Sequence, residues 1–164
     1  MHLWSALKFD PPATWNKAGD PVKVSDIMTR NPECITMSDS VQQAARIMRD
    51  SDVGIVPVVD DSSSLRLRGV ITDRDIAVRC VAEGKDGSCR VNDLMSGDLV
   101  TVREGDDVRK LMDRMKMEQV RRIPVVDDNN RLIGIVAQAD LALEGPSDRA
   151  VGEVVERISE PGHR

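Results

Sequence analysis

The sequence predicts an α/β fold in which one β-α-β-β-α unit occurs twice in tandem. Four sequence blocks recur in the same order, three of them 67 residues later and the last one 65 residues later. In each copy, apolar residues first follow helical spacing and then form a short β-branched run typical of a strand. Because such a unit cannot bury both faces of its sheet alone, we expect the copies to pack sheet to sheet with pseudo-twofold symmetry.

The repeated blocks align without ambiguity. VSDIM at residues 24–28 recurs as VNDLM at 91–95, and PVVDD at 57–61 recurs at 124–128. GVI at 69–71 recurs as GIV at 134–136, after a turn that is two residues shorter. The helical stripes that match are Val41, Ala44, Ala45 and Met48 in the first copy, and Val108, Leu111, Met112 and Met115 in the second. We expect both stripes to face the core.

The elements of the first copy follow in order. A short strand is predicted near residues 34–36, a helix from Val41, and a hairpin from residues 54–59 and 65–71. Thr72 opens a second helix that runs through Ala82, with Gly84 as its stop. The second copy repeats this order.

The repeats also define the predicted domain boundaries. These are an arm at residues 1–21, repeat 1 at 22–84, a linker at 85–90, repeat 2 at 91–145, and a C-terminal helix and tail at 146–164. The arm holds every aromatic residue of the chain, namely Trp4, Phe9 and Trp15. Since a disordered tail normally lacks Trp, we expect the arm to pack, with docking within a homodimer favoured over an unknown partner. Apolar residues in helical register predict that the C-terminal helix packs as well.

Composition narrows the class of protein. The 164 residues are 40% hydrophobic and 31% charged, an ordinary balance for a soluble globular chain. A formal net charge of −5 argues against general nucleic-acid binding. Neither an apolar run of about 20 residues nor a signal peptide is evident, so we expect no membrane contact and a cytoplasmic protein.

The residues used in catalysis and metal binding are scarce. The two histidines, His2 and His163, lie at opposite ends of the chain, and the three cysteines form no C-x-x-C pair. We therefore expect no metal and no enzymatic activity, because neither a zinc ligand set nor a nucleophile–base pair is recognisable. A disulfide between Cys80 and Cys89 stays open, although free thiols are the favoured state.

The order D-I-M, then P-V-V-D, then G-V-I-T-D-R-D resembles the CBS (cystathionine-β-synthase) domain, and two in tandem resemble a Bateman module. The resemblance covers residues 22–143, with no catalytic domain attached, as in stand-alone bacterial CBS-pair proteins. It implies clefts between the repeats that bind adenosyl compounds such as AMP, ADP, ATP, NAD or S-adenosylmethionine. It also implies flat, disc-like homodimers.

Thr72 and Asp75 form the most specific candidate site. Their spacing fits a capping box at a helix start, where free backbone N–H groups also suit a phosphate. The resemblance implies that this Thr and Asp serve the ribose and phosphate of a nucleotide. The second copy keeps Asp140 but has Ala137 in place of the threonine, so we expect a degenerate second site.

Two arginines differ between the copies in the same sense. Arg121 and Arg122 match Gly54 and Ile55 of the first copy. By resemblance, they would face the phosphates of a ligand held by Thr72, for which guanidinium groups are well suited. The alternative is that they are solvated charges paired with Glu118 or Asp113.

The adenine needs an apolar slot with backbone hydrogen bonds, and the resemblance assigns it to two adjacent strands of repeat 1. The residues are Ile35, Thr36, Val56 and Pro57, which would also be ordinary strand core.

These observations predict a regulatory sensor that binds an adenosyl nucleotide and transmits binding to a dimer mate or an unknown protein partner. One alternative is a ligand-free dimerisation module that presents the aromatic arm. Another is a redox or metal sensor that uses Cys34, Cys80 and Cys89.

Overall fold

The computed structural model describes residues 21–144 and 148–159, with the side chains of residues 142–151 left out. It confirms a mixed α/β fold with two sheets. The arm and its three aromatic residues lie outside the described residues, and so do both histidines. In chain order the elements are α1 (Val24–Ile27), β1 (Thr29–Arg30), β2 (Ile35–Thr36), α2 (Val41–Asp50), β3 (Ile55–Val59), β4 (Leu67–Thr72), α3 (Asp73–Ile76), β5 (Val102–Arg103), α4 (Val108–Glu118), β6 (Arg122–Val126), β7 (Leu132–Ala137), α5 (Gln138–Glu144) and α6 (Asp148–Ser159).

Each repeat contributes the core of one sheet. The three-stranded sheet has the order β2-β3-β4, with β2 parallel to β3 and β3 antiparallel to β4. The four-stranded sheet has the order β1-β7-β6-β5, with β5 parallel to β6 and β1 antiparallel to β7. The β-α-β-β-α order predicted for each repeat is therefore present.

The chain divides into two compact units that do not coincide with the two repeats. The sheet unit consists of Thr29–Arg103 and Pro124–Ile135. The helical unit takes its described residues from Met1–Met28, Glu104–Ile123 and Val136–Arg164.

Helix α2 illustrates why the first repeat folds as its sequence predicts. Ser40 caps the helix, because its hydroxyl oxygen accepts the N–H of Gln43 at 3.2 Å. Val41, Ala44 and Met48 are buried in the core of the sheet unit. The predicted stripe was wrong at one position, since Ala45 is exposed; instead, the half-buried Ile47 packs against this core.

The first residues of each repeat form backbone hydrogen bonds with the other repeat. In the sheet unit, the N–H of Val91 donates to the carbonyl of Asp39 at 2.9 Å. In the helical unit, the N–H of Val24 donates to the carbonyl of Asp106 at 2.9 Å. These two bonds correspond to each other at the repeat spacing of 67 residues. Each segment thus extends from its own repeat to bind the other.

The same exchange explains a glycine that occurs in both copies. Val70 and Ser96 exchange two backbone hydrogen bonds, at 3.0 and 2.9 Å. A Cβ atom on Gly69 would lie only 2.7 Å from the Ser96 carbonyl oxygen. In the second copy, the matching Gly134 is paired with Arg30 of β1. A glycine is required at residue 69 because the exchanged segment passes directly over it.

The helix that follows Thr72 changes its hydrogen-bond pattern after one turn. Helix α3 continues as a π-helical turn at Ala77–Val81, where the N–H of Ala82 reaches back to the carbonyl of Ala77 at 2.9 Å. Gly84 follows this turn with a φ of 68°, a left-handed conformation that favours glycine, in agreement with its predicted role as the helix stop. The apolar residues Val78 and Val81 of this turn are exposed.

The helical unit is built from α4, α5 and α6, with α6 packed on both of the others. Val154 and Ile158 of α6 are buried, which agrees with the prediction of a packed C-terminal helix. Met112 and Met115 of α4 are buried too, so they serve packing. Among the described residues, no helix is long and apolar enough to span a membrane.

Candidate functional site

Thr72 and Asp75 form a closed capping box at the point where β4 ends and α3 begins. The Thr72 hydroxyl oxygen accepts the N–H of Asp75 at 3.1 Å. In return, Oδ2 of Asp75 accepts the Thr72 N–H at 3.0 Å and the Thr72 hydroxyl at 2.6 Å. The Asp75 side chain is only 14% exposed. These bonds fix the carboxylate in one orientation.

The second carboxylate oxygen of Asp75 is less engaged. Among the described residues, it lies near Nη1 of Arg79, at 3.7 Å, a distance too long for a hydrogen bond. Arg79 itself donates to the carbonyl of Leu94 at 2.9 Å. Oδ1 therefore keeps lone pairs that can accept hydrogen bonds from a hydroxyl-rich ligand, such as the diol of a ribose.

The three backbone N–H groups in the first turn of α3 all have hydrogen-bond partners. The prediction from the sequence, that they are free for a phosphate, is therefore wrong. The Asp73 N–H donates to the carbonyl of Gly54 at 3.1 Å, the Arg74 N–H to the Asp73 carboxylate at 2.7 Å, and the Asp75 N–H to Thr72. Of these three acceptors, only the exposed Asp73 carboxylate could be displaced readily from its N–H group by a ligand. This helix start is thus better equipped for a sugar than for a phosphate.

The strand register places the remaining candidates of repeat 1. Thr72 pairs with Ile55, so Val56 and Pro57 lie beside the end of β4. Thr36 pairs with Val59, at the opposite end of β3. Four residues of strand span about 13 Å. The structure therefore brings Val56 and Pro57 close to Thr72, but it does not bring Thr36 there.

Burial limits what the apolar candidates can offer. Ile35 and Val56 are 2% and 1% exposed, and their side chains belong to the core of the sheet unit. Pro57 is buried as well. Gly54 and Ile55, which lie near Thr72 and match Arg121 and Arg122 of the second copy, are half-buried.

Asp39 is a residue that the sequence analysis missed. Its Oδ2 accepts the N–H of Thr36 at 2.9 Å and the Thr36 hydroxyl at 2.8 Å. This is the same arrangement as Asp75 with Thr72. The signal was present in the sequence, because both pairs have the spacing T-x-x-D. The two pairs lie at opposite ends of the three-stranded sheet.

The second repeat has a simpler version of the Thr72 cap, in the helical unit. Oδ2 of Asp140 accepts the N–H of Ala137 at 2.7 Å, but Ala137 has no hydroxyl to donate or accept. The N–H of Gln138 donates to the carbonyl of Arg121 at 2.8 Å, as Asp73 does to Gly54 in the first repeat. Both copies thus form the same backbone hydrogen bonds at this helix start, and they differ in the side chain of Thr72 against that of Ala137.

Arg121 precedes β6 and Arg122 is its first residue, and both belong to the helical unit. Arg121 is exposed and Arg122 is half-buried. Within the described part of the chain, neither guanidinium forms an ion pair with Glu118, Asp113 or any other acid. Their charges are therefore available to an anionic ligand.

The cysteines are free thiols that lie in two places. Cys80 and Cys89 face each other in the core of the sheet unit, whereas Cys34 packs against a separate apolar cluster that includes Val59 and Leu67. Burial raises the pKa of Cys34 above its usual value. No group of three or more His, Cys, Asp or Glu side chains that could hold a metal ion occurs among residues whose positions are described.

The repeats and this site geometry can be compared with known proteins. A family profile described as "CBS domain" matches residues 24–81 and 91–145. The chain belongs to the CBS domain family. It is 38% identical over 136 residues to the CBS domain-containing protein YhcV of Bacillus subtilis (strain 168), covering 83% of this chain and 94% of that protein.

Two solved structures show the same fold. Hypoxic response protein 1 of Mycobacterium tuberculosis is 33% identical over 137 residues, which is 83% of this chain and 93% of that protein. Its crystal structure, with two coordinated zinc ions, has a TM-score of 0.69 and covers 76% of this chain and 100% of its own. The CBS domain pair of protein MJ0100, in complex with 5-methylthioadenosine and S-adenosyl-L-methionine, has a TM-score of 0.64 at 29% identity, covering 74% of this chain and 94% of its own.

The structural neighbours are CBS-pair Bateman modules, so the tandem CBS fold expected from the sequence is confirmed.

Proposed function

We propose that this protein is a regulatory module that binds an adenosyl compound at Thr72 and Asp75 and passes the binding event to a dimer mate or protein partner. The proposal rests chiefly on Asp75. Its carboxylate is nearly buried and held by two hydrogen bonds from Thr72, yet one of its oxygens keeps lone pairs for a ligand. A fixed and partly desolvated acceptor of this kind recognises a diol at little entropic cost.

The comparison with protein MJ0100 supports the class of ligand. That CBS pair binds 5-methylthioadenosine and S-adenosyl-L-methionine, both of which contain an adenine and a ribose. Neither molecule has a phosphate. The occupied N–H groups at the start of α3 suit such ligands, because an anion could reach a first-turn donor only by displacing the exposed Asp73 carboxylate.

Arg121 and Arg122 favour a ligand that also has an anionic group. Both guanidinium groups lack an ion-pair partner among the described residues, and an arginine can engage two oxygens of one phosphate or carboxylate. We propose that their charge attracts the phosphate or carboxylate group of a ligand. Of the strand candidates, Val56 and Pro57 would contribute to the adenine slot through backbone groups, whereas Ile35 and Thr36 lie towards the opposite end of β3 from Thr72.

Titration calorimetry with AMP, ATP, NAD and S-adenosylmethionine tests this function. The protein is first shown to be free of bound nucleotide by mass spectrometry after denaturation. We expect one of these compounds to bind and to raise the melting temperature as its concentration exceeds Kd. Absence of heat and of any melting shift with all four would refute the proposal and would favour the ligand-free dimerisation module.

A homodimer is the second part of the proposal. Val78 and Val81 are 51% and 68% exposed on the same π-helical turn, and no described residue covers them. We propose that a second copy of the chain buries this apolar pair. The helix begins at Thr72, so a ligand held there would act on an element of the dimer interface. Gel filtration with light scattering measures the assembly state.

A further inference from the structure

Cys80 and Cys89 bring their sulfur atoms to 3.4 Å from each other within the sheet unit. Cys80 lies on the π-helical turn and is 2% exposed, whereas Cys89 is half-buried in the segment that leads to repeat 2. Both are free thiols. Since a disulfide joins two sulfurs at about 2.0 Å, a relative shift of about 1.4 Å would suffice for bond formation.

We propose that Cys80 and Cys89 form a reversible disulfide that fastens the segment 87–96 to the helix that begins at Thr72. This bond would form whether or not Thr72 and Asp75 hold a ligand, because neither thiol takes part in the cap at Thr72.

The backbone around Cys89 is already in place for this bond. The Cys89 carbonyl accepts the N–H of Val41 at 2.9 Å, and the Gly87 carbonyl accepts the N–H of Gln42 at 2.9 Å. These bonds hold the backbone on both sides of Ser88 and so keep Cys89 beside Cys80. The Cys80 thiol also lies 3.4 Å from the carbonyl of Asp86, so the same short segment surrounds it.

The pair occurs in one copy of the repeat. At the repeat spacing, Cys89 corresponds to Val22, and Cys80 corresponds to Gly145. The segment that contains Cys89 also includes Val91 and Ser96, which bond to repeat 1. A disulfide here would strengthen one of the two segment exchanges and leave the other unchanged.

The chemistry is thiol–disulfide exchange with a small-molecule disulfide such as oxidised glutathione. The Cys89 thiolate, the more accessible of the two, attacks one glutathione sulfur and releases the other as a thiol. The Cys80 thiolate then attacks the Cys89 sulfur and releases the second glutathione thiol. In total, each cysteine loses a proton and the pair loses two electrons, while the glutathione disulfide is reduced to two thiols. Burial and the hydrogen bond with Cys80 raise the pKa of Cys89, so exchange is faster at alkaline pH.

Peptide mapping of the full chain tests the bond. The protein is incubated with increasing oxidised glutathione at alkaline pH, quenched in acid, alkylated with N-ethylmaleimide and digested with trypsin. Cleavage after Arg79, Lys85 and Arg90 releases the two cysteines on separate peptides, 80–85 and 86–90, which stay joined only through a disulfide. We expect this linked species, with Cys34 alkylated, and its loss after treatment with dithiothreitol.

Closure of a loop this short should also raise the melting temperature by about 5 °C. Cys34→Ser is the matched control, because it removes a half-buried thiol in a different cluster and should keep both the link and the shift. Cys89→Ser should lose both. A stable glutathione adduct on Cys89, a link through Cys34, or no link in folded wild-type protein would each overturn the proposal. Since mapping of the wild type needs no variant, a folding defect in Cys89→Ser would not affect the outcome.

Discussion

Gly69→Ala provides a direct test of the segment exchange that defines this fold. The added Cβ would lie 2.7 Å from the Ser96 carbonyl oxygen, and 3.0 Å from Cε of Met95. The methionine side chain can move away, but the Ser96 oxygen belongs to the backbone and is held by the N–H of Val70 at 3.0 Å. The substitution must therefore displace the exchanged segment or distort β4.

The magnitude follows from the bonds at stake. Two hydrogen bonds join Val70 and Ser96, and each contributes about 0.5–1.5 kcal/mol. Alanine regains about 0.4–1 kcal/mol by restricting the unfolded chain. We expect a net loss of about 1–2 kcal/mol, which lowers the melting temperature by roughly 5 °C in a chain of this size.

The assay is thermal or urea unfolding followed by circular dichroism. Gly105→Ala is the matched control, since its added Cβ would meet no atom within 4 Å. It should leave stability within about 0.5 kcal/mol of the wild type. Equal melting temperatures for the two variants would refute the close approach of the exchanged segment.

Two further predictions concern the surface. Hydrogen bonds from Ser63 and Ser64 hold the pKa of Asp61 well below its usual range, so its carboxylate stabilises the fold above about pH 4, and this contribution fades as pH falls. Urea unfolding should show Asp61→Asn as less stable than wild type at pH 6, with a gap that narrows towards pH 3; a gap that widens in acid would contradict this sign. Light scattering should show a dimer for wild type and a monomer for Val81→Glu, because a charge would enter the proposed apolar contact, while exposed Met117→Glu should leave the mass unchanged. A dimeric Val81→Glu would exclude this helix as the interface.

Much of the fold was predictable because it is encoded locally and written twice. The Val41 helix, the hairpin strands and the Thr72 helix all follow from apolar spacing and from capping residues. The segment exchange was not predictable, because it rests on backbone bonds between residues distant in sequence. Strand β1 of repeat 1, which pairs with β7 of repeat 2, contains only Thr29 and Arg30, too few residues to show an alternating pattern.

The candidate site was predictable in its side chains but not in its hydrogen bonds. The Thr72 and Asp75 cap followed from their spacing, and the same spacing would have identified Thr36 with Asp39. The occupied N–H group of Asp73 depends on Gly54, whose carbonyl is brought there by the pairing of β3 with β4. The π-helical turn after Ile76 was equally hidden, because side-chain periodicity over one turn does not distinguish it from an α-helix.

The most direct test of the account compares Asp75→Asn with Asp140→Asn in calorimetric titration against the ligand that wild type binds best. Both carboxylates accept the N–H of the residue three positions earlier, at 3.0 and 2.7 Å, and since an Asn oxygen can still accept this bond, both variants remove the charge and keep the contact. Asp75→Asn should weaken binding at least about tenfold, because a charge-assisted hydrogen bond contributes about 1.5–3 kcal/mol. Asp140→Asn should change affinity less than about twofold. Equal losses in the two variants, or a larger loss in Asp140→Asn, would contradict the assignment of the ligand to Thr72 and Asp75.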